Sequence, residues 1–164
     1  MSLIYGPRQV VLVTSKGRAT VMGRDVTKDD IITVAWHMPT SFNPVLYAIS
    51  IGKTRFSHTL INNSKAFIVN FIPSSLEQKA VLCGTHSGQH IDKFKLAGFT
   101  RQEAHYLDCP RIKEAIGFVE CEVINKIDTG DHTIFVGKVL TSEMVRQSPR
   151  LYHMEGSDFT TTIS

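Results

Sequence analysis

The sequence predicts a mainly β protein: a closed or nearly closed antiparallel barrel with added helices packed outside it. Three observations carry that expectation. The β-branched runs are strand-sized, Gly and Pro fall singly between them as turn signals, and the helical stretches are inserted between strands rather than alternating regularly with them. A doubly wound parallel sheet fits poorly, and its nucleotide fingerprints, G-x-G-x-x-G after a strand and G-x-x-x-x-G-K-[ST], are missing.

Residues 9–14, 19–22 and 31–36 read as strands, with Ser15-Lys16-Gly17-Arg18 between the first two as a hairpin turn. The third should end at Trp36 and His37, just before Pro39. Residues 44–50 and 66–71 continue the pattern, and residues 54–63 between them suit a helix opened by a hydroxyl cap. Ser74-Ser75-Leu76-Glu77 opens a second helix with a serine cap and an early carboxylate, running toward Cys83 and stopped by Gly84. A short helical turn follows at residues 91–96. Residues 116–127 and 132–145 then form two long strands joined by Asp128-Thr129-Gly130-Asp131, where Gly supplies a positive φ at little cost. About six or seven strands and two or three helices result, in one domain spanning residues 1–164.

Composition narrows the function classes. Of 164 residues 42% are hydrophobic and 20% charged, ordinary for a folded globular chain. Lys and Arg exceed Asp and Glu by 18 to 15, a scattered net +3 that gives nucleic-acid binding no support. No apolar run approaches the length of a membrane helix, and the N-terminal residues lack the pattern of a secretion signal, so the expectation is a cytoplasmic protein with no membrane partner. Cys83, Cys109 and Cys121 form neither an even set nor a C-x-x-C pair and read as reduced thiols.

Four segments carry candidate chemistry. Lys53-Thr54-Arg55-Phe56-Ser57-His58-Thr59 follows a strand and opens a helix, gathering hydroxyls, a guanidinium and unpaired amides at a positive helix end. It is either an anion site or an ordinary cap with a solvated charge. In residues 30–38 the strand carrying Thr33, Val34, Ala35 and Trp36 is a core strand of the barrel wall, or an edge offering backbone groups to a planar ligand. Cys83, His86 and His90 have metal-like gaps, but Gly84 and Gly88 interrupt the helix and a fourth ligand is lacking, so no metal is expected and the segment reads as a glycine-containing loop. In Gly130-Asp131-His132-Thr133, His132 is the candidate proton or hydrogen-bond donor, oriented by Asp131. A serine hydrolase is not supported, since no G-x-S-x-G elbow occurs.

Taken in order, DIITVAWHMPTSFNPVLYAISIGKTRFSHTLI, AFIVNFIPSS, CGTHSGQHIDKFKLAGFT and GDHTIFVGKV resemble the flavin reductase-like family of FMN-binding split barrels, particularly its flavoredoxin-like branch, across residues 9–139. The resemblance implies an antiparallel, Greek-key-type six-stranded split barrel that dimerises with itself and binds FMN, in preference to FAD, near the subunit interface. It implies that Thr33, Val34, Ala35 and Trp36 border the ribityl chain and ring, and that Ser50, Arg55 and Ser57 hold the phosphate. Phe56 stands where tyrosine is common, keeping the aromatic face without the hydroxyl. Asn70 and Phe71 would line the ring pocket, Lys93 and Phe94 would close the site, and His132 would lie where a nicotinamide or acceptor approaches. The implied activity is NAD(P)H:flavin oxidoreduction, with NADH or NADPH as substrate. The alternative is a flavoredoxin-type carrier that exchanges electrons with a protein partner and binds no nicotinamide. The closing segment RLYHMEGSDFTTTIS is short for the branch and matches it only loosely.

Overall fold

The computed structural model describes residues 3–162. A short 3-10 turn, Leu3–Tyr5, precedes the strands β1 Arg8–Gln9, β2 Val11–Val21, β3 Arg24–Val34, β4 His37–Phe42 and β5 Val45–Gly52. Helix α1 Phe56–Ser64, strand β6 Ala66–Phe71, a 3-10 turn Ser74–Leu76 and helices α2 Glu77–Thr85 and α3 Lys93–Ala97 follow. Then come β7 Arg101–Gln102, β8 Arg111–Ile112, β9 Gly117–Thr129, β10 His132–Met144, β11 Leu151–His153 and β12 Phe159–Thr161. No helix among the described residues is long and apolar enough to cross a membrane.

What closes the barrel is one bent stretch of chain. The main sheet runs β3-β2-β6-β9-β10-β5-β4. Its two edge strands are successive halves of the segment that bends at Ala35 and Trp36, so seven strands make six staves. Val34 still faces Val11 on β2, whereas His37 already faces Ile49 on β5, and at the bend the Ser50 amide donates to the Trp36 carbonyl at 2.9 Å. Closure in this way brings the two ends of the sheet together at the bend, while β4 itself remains an edge strand beyond it. The architecture is the expected six-stranded antiparallel split barrel with helices added.

Period-two alternation divides the core. Val11, Val13, Ile32, Val34, Ile49, Ile51, Phe67, Val69, Cys121 and Phe135 pack together in the barrel interior with Ile61 of α1. Their chain neighbours Leu12, Ile31 and Ile68 point the other way, onto Ala80 and Cys83 of α2 and Phe94 and Ala97 of α3.

Several boundaries depart from the sequence expectation. Ser15 to Arg18 is not a turn: β2 runs through it, each residue paired to β3, and the reversal falls at Met22 and Gly23, with φ of 50° and 74°. Gly17 is there for close packing, because a Cβ would sit 2.7 Å from the Leu60 carbonyl oxygen of α1. Pro39 does not end strand structure, since β4 passes through it as an edge strand, where a missing amide costs no ladder bond. α1 begins two residues later than expected, with Arg55 as N-cap and no side-chain cap. α2 likewise lacks a side-chain cap, is entered through the Ser74–Leu76 turn and continues past Gly84 to Thr85. The β9–β10 hairpin matches its signal, with Gly130 at φ 57°.

Candidate functional site

A groove follows the closing seam, from the start of α1, across the β3 end and β5, to the β4–β5 edge. Three adjoining cavities make it up. The narrow end, about 90 Å³, is lined by Arg55, Phe56, Ser57, Asp30, Gly88 and Lys93. The middle, about 260 Å³, adds Thr33, Val34, Ala35, Trp36, Ser50 and His132, and shares Arg55 with the narrow end. The broad end, about 710 Å³, has Trp36, Met38, Pro39, Tyr47 and Ile49 as apolar walls and shares Arg8, Ala35, Trp36 and Ser50 with the middle.

The narrow end combines a cation with a helix entrance. Arg55 is the N-cap of α1, and the first amides of the helix have no carbonyl within it to donate to. The Arg55 guanidinium has no hydrogen-bond or ion-pair partner among the described residues. A cation and unpaired amides at one helix entrance are groups that favour negative charge. Phe56 is half-buried beside it, with Lys28 Nζ 5.8 Å from its ring centroid.

The broad end is apolar but holds unspent donors. Arg8 Nε and Gln9 Nε2 are buried without a hydrogen-bond partner among the described residues. Such groups are costly unless a ligand satisfies them. Behind them His37 Nε2 donates to the Gln9 carbonyl at 2.9 Å, which fixes the tautomer, so Nδ1 accepts from the Tyr47 hydroxyl at 2.6 Å. Burial lowers the His37 pKa, against the opposing pull of the Gln9 carbonyl, and keeps the ring neutral. Burial, helped by Cys121 and opposed by Arg150, pushes the Tyr47 phenol up to about 12.

Between the two ends His132 lies against Trp36. Its Nδ1 is 2.7 Å from Asp131 Oδ1, the pairing expected from sequence, and this holds the Asp131 carboxyl below its ordinary range.

The sequence candidates divide three ways. Thr33, Val34, Ala35, Trp36, Ser50, Arg55, Phe56, Ser57, Lys93 and His132 come together along the groove. The Thr33 hydroxyl, however, donates to the Ala80 carbonyl at 2.5 Å, the Ser57 hydroxyl donates to Asp30, and the Lys93 ammonium is paired with Asp30. Phe71 supports the broad end from behind, edge-on to His37 and Tyr47. Asn70 and Phe94 are not in the groove. The Asn70 amide is fully buried on the helix side of β6, donating to the Leu12 and Ile68 carbonyls and the Thr14 hydroxyl and accepting from the Ile112 amide. Phe94 is 1% exposed in the layer beneath α2, with the Arg101 guanidinium 4.3 Å from its ring centroid. Both secure the wall rather than line it.

Sequence reasoning missed Arg8, Gln9, His37 and Tyr47. Arg8 and Gln9 reach the groove only because β1 pairs with β11, a contact between residues 8–9 and 152–153 that no local pattern announces. Cys83, in the segment considered for metal, lies on α2 and is buried in the core with its thiol pushed up to about 11 by burial. Among the described residues no group of three or more His, Cys, Asp or Glu could hold a metal ion.

Residues 4–161, nearly the whole chain, match the flavin reductase like domain. The chain belongs to that family. This flavin reductase-like domain is 36% identical over 115 residues to an uncharacterized protein of Archaeoglobus fulgidus, a match covering 70% of this chain and 65% of that protein's length. In structure it is similar to an FMN-binding protein from Thermus thermophilus with bound p-hydroxybenzaldehyde: TM-score 0.82, 23% identity, 98% of this chain and 89% of that one. It is also similar to flavoredoxin from Methanosarcina acetivorans, with TM-score 0.81, 24% identity and coverage of 96% and 86%. At these identities the structural likeness is one of fold.

Proposed function

We propose that the chain binds FMN in the seam groove and acts as an NAD(P)H:flavin oxidoreductase. One observation carries the reading: a single groove joins an unpaired guanidinium at a helix entrance to an apolar slot with unspent donors. That pairing suits a molecule with a phosphate at one end and a flat heteroaromatic ring with carbonyl oxygens at the other.

The bound flavin supplies the hydride or electron transfer; the protein supplies position and electrostatics. Arg55 and the first amides of α1 hold the phosphate. The backbone of Thr33, Val34, Ala35 and Trp36, with Ser50 across the seam, borders the chain and ring, and Arg8 and Gln9 donate to the ring's oxygen-bearing edge. His132, oriented by Asp131, stands at the mouth as the hydrogen-bond or proton donor to an approaching nicotinamide or acceptor.

The flavoredoxin likeness favours a second reading, an FMN-bearing electron carrier served by a protein donor. We further propose a cytoplasmic homodimer. Three buried unpaired thiols suit a reducing compartment. The exposed β4–β5 edge, with Phe42 97% exposed beside Met38 and Val45, offers a second copy an apolar surface continuous with the groove.

The deciding experiment is the absorption spectrum of the purified protein, with mass identification of any cofactor released by heat. A yellow protein yielding FMN supports the reading, and a colourless one that refuses micromolar FMN ends it. Steady-state oxidation of NADH and NADPH separates reductase from carrier, and gel filtration tests the dimer.

A further inference from the structure

The narrow end of the groove contains two opposite charges that burial takes out of water. Asp30 of β3 is 2% exposed and Lys93 of α3 is 5% exposed. Lys93 Nζ lies 3.2 Å from Asp30 Oδ1 and directs its hydrogens to the backbone, donating to the Ile31 carbonyl at 2.6 Å and the Cys83 carbonyl at 3.0 Å. The other carboxylate oxygen, Oδ2, accepts from the Ser57 hydroxyl at 2.5 Å, and Ser57 is itself 1% exposed. Ser57, which the family resemblance assigns to the phosphate, and Lys93, which it assigns to closing the site, are thus both turned onto Asp30.

Nothing else screens the carboxylate. Among the described residues Oδ1 has no hydrogen-bond partner, and Lys93 is the one cation within ion-pair distance of it. Gly88 packs directly on it, since a Cβ there would lie 2.0 Å from Oδ1. Lys28 clamps the same loop by donating to the Gly88 and Gln89 carbonyls at 2.9 Å each. A buried carboxylate in the wall of an anion site repels the anion through a poorly screening medium unless a cation cancels it.

Resting on the flavin reading above, we infer that Lys93 serves the phosphate end as the counter-ion of Asp30 and not as a ligand of the phosphate. Asp30 is a positioning residue. It fixes Ser57, and with it the first turn of α1, by accepting the serine hydroxyl. Three elements that are distant in sequence, β3, α1 and α3, are tied at one carboxylate in the wall of the cavity that Arg55 also lines.

The test compares FMN with riboflavin, which lacks the phosphate, on the full-length protein. In Lys93→Met the uncancelled carboxylate should weaken FMN binding by about tenfold or more while riboflavin changes by less than about twofold. In the double variant Asp30→Asn/Lys93→Met the wall is again neutral and Asn still accepts from Ser57, so FMN affinity should return to within about threefold of wild type. A double variant as weak for FMN as Lys93→Met would make Lys93 a phosphate ligand and overturn the inference. If Lys93→Met does not fold, the double variant, which buries no charge, decides alone. Retained FMN affinity supports the inference, and a loss confined to FMN overturns it. Wild-type protein that binds riboflavin as tightly as FMN would overturn it too, with the flavin reading intact. Wild-type protein that binds neither would end the flavin reading and this inference with it.

Discussion

The imidazole of His132 rests on the indole of Trp36, with ring centroids 4.9 Å apart and planes inclined by 40°. His132 opens β10 opposite Gly52 of β5, and Trp36 sits at the bend that closes the barrel, so this contact spans the seam at the middle of the groove. Trp36 is the sole tryptophan and is 40% exposed on a wall common to the middle and broad cavities. Its emission should therefore be quenched saturably by FMN, with one flavin per chain. Trp36→Phe should abolish the signal but leave the flavin's own fluorescence change on binding. Unaltered emission at saturating flavin would move the ring site elsewhere.

His132 reaches the groove from the hairpin and its other contact is the exposed Asp131, so it can be removed with little structural cost. His132→Ala should lower the turnover number for NAD(P)H oxidation by about a hundredfold if the ring donates a proton or hydrogen bond in the transition state. The FMN dissociation constant should stay within about twofold, because the proposed phosphate ligand, Arg55, lies elsewhere. Equal loss of both would make His132 a wall of the flavin site only.

Arg55 has no ion-pair partner among the described residues and stands at the entrance of α1. Arg55→Ala should weaken FMN by about tenfold or more, the scale of a lost charge-assisted contact. Riboflavin binding should not change. Fluorescence titration of both flavins checks this, and an unchanged FMN dissociation constant takes Arg55 out of the site.

How far the sequence led is plain from particular residues. The strands at residues 31–34, 45–50 and 66–71 and the Gly130 hairpin announce themselves by β-branched runs and turn chemistry, which are local properties. Gly17 misleads because a glycine kept small for the approach of α1 looks the same, in sequence, as a glycine needed for a turn. Pro39 misleads because the sequence does not say which strand is an edge. At the site, Arg55, Trp36 and His132 lie in recognisable segments, whereas Arg8 and the His37–Tyr47 pair owe their place to pairing across strands. Ser57 and Lys93 were found as residues, but their roles depend on Asp30, a contact between residues 27 and 63 positions apart.

A second buried ion pair bears on stability rather than on the groove. Arg111 is 1% exposed and Glu120 fully buried; Arg111 Nε and Nη2 reach Glu120 Oε1 at 2.8 and 2.5 Å. Burial alone would raise the Glu120 pKa, but the His105 and Tyr106 amides and then Arg111 outweigh it and hold the carboxyl below its ordinary value. A depressed carboxyl stabilises the fold above its unfolded pKa, about 4.3, and that stabilisation is lost as pH falls through the lower folded value. Stability from this group should thus be level near neutrality and decline in acid, with a shallower decline in Glu120→Gln. Arg111→Met, which strands the carboxylate, should cost about 3–5 kcal/mol in urea unfolding at pH 7. A cost within experimental error would show that the carboxylate finds water instead.

Close packing around Gly137 in the barrel interior gives a test independent of any ligand. Gly137 of β10 is buried beside a register shift between Val136 and itself. A Cβ there would lie 2.6 Å from the Cys121 Cβ and 2.8 Å from Phe67 Cζ, and both residues are 0% exposed. Neither neighbour can give way easily: the Cys121 Cβ is fixed to its strand, and the Phe67 ring is packed against the interior of β2 and β5. Gly137→Ala should therefore destabilise by about 1–3 kcal/mol through overpacking. Gly130→Ala, where nothing lies within 4 Å and only the positive φ is at stake, should cost about 1 kcal/mol. Shrinking the ring in Gly137→Ala/Phe67→Leu relieves the contact with Cζ, so the double variant should lose less than the sum of the two single changes. Strictly additive losses in urea unfolding would mean that the strand shifts instead of the ring, and that the register beside Gly137 yields more readily than the packing around it.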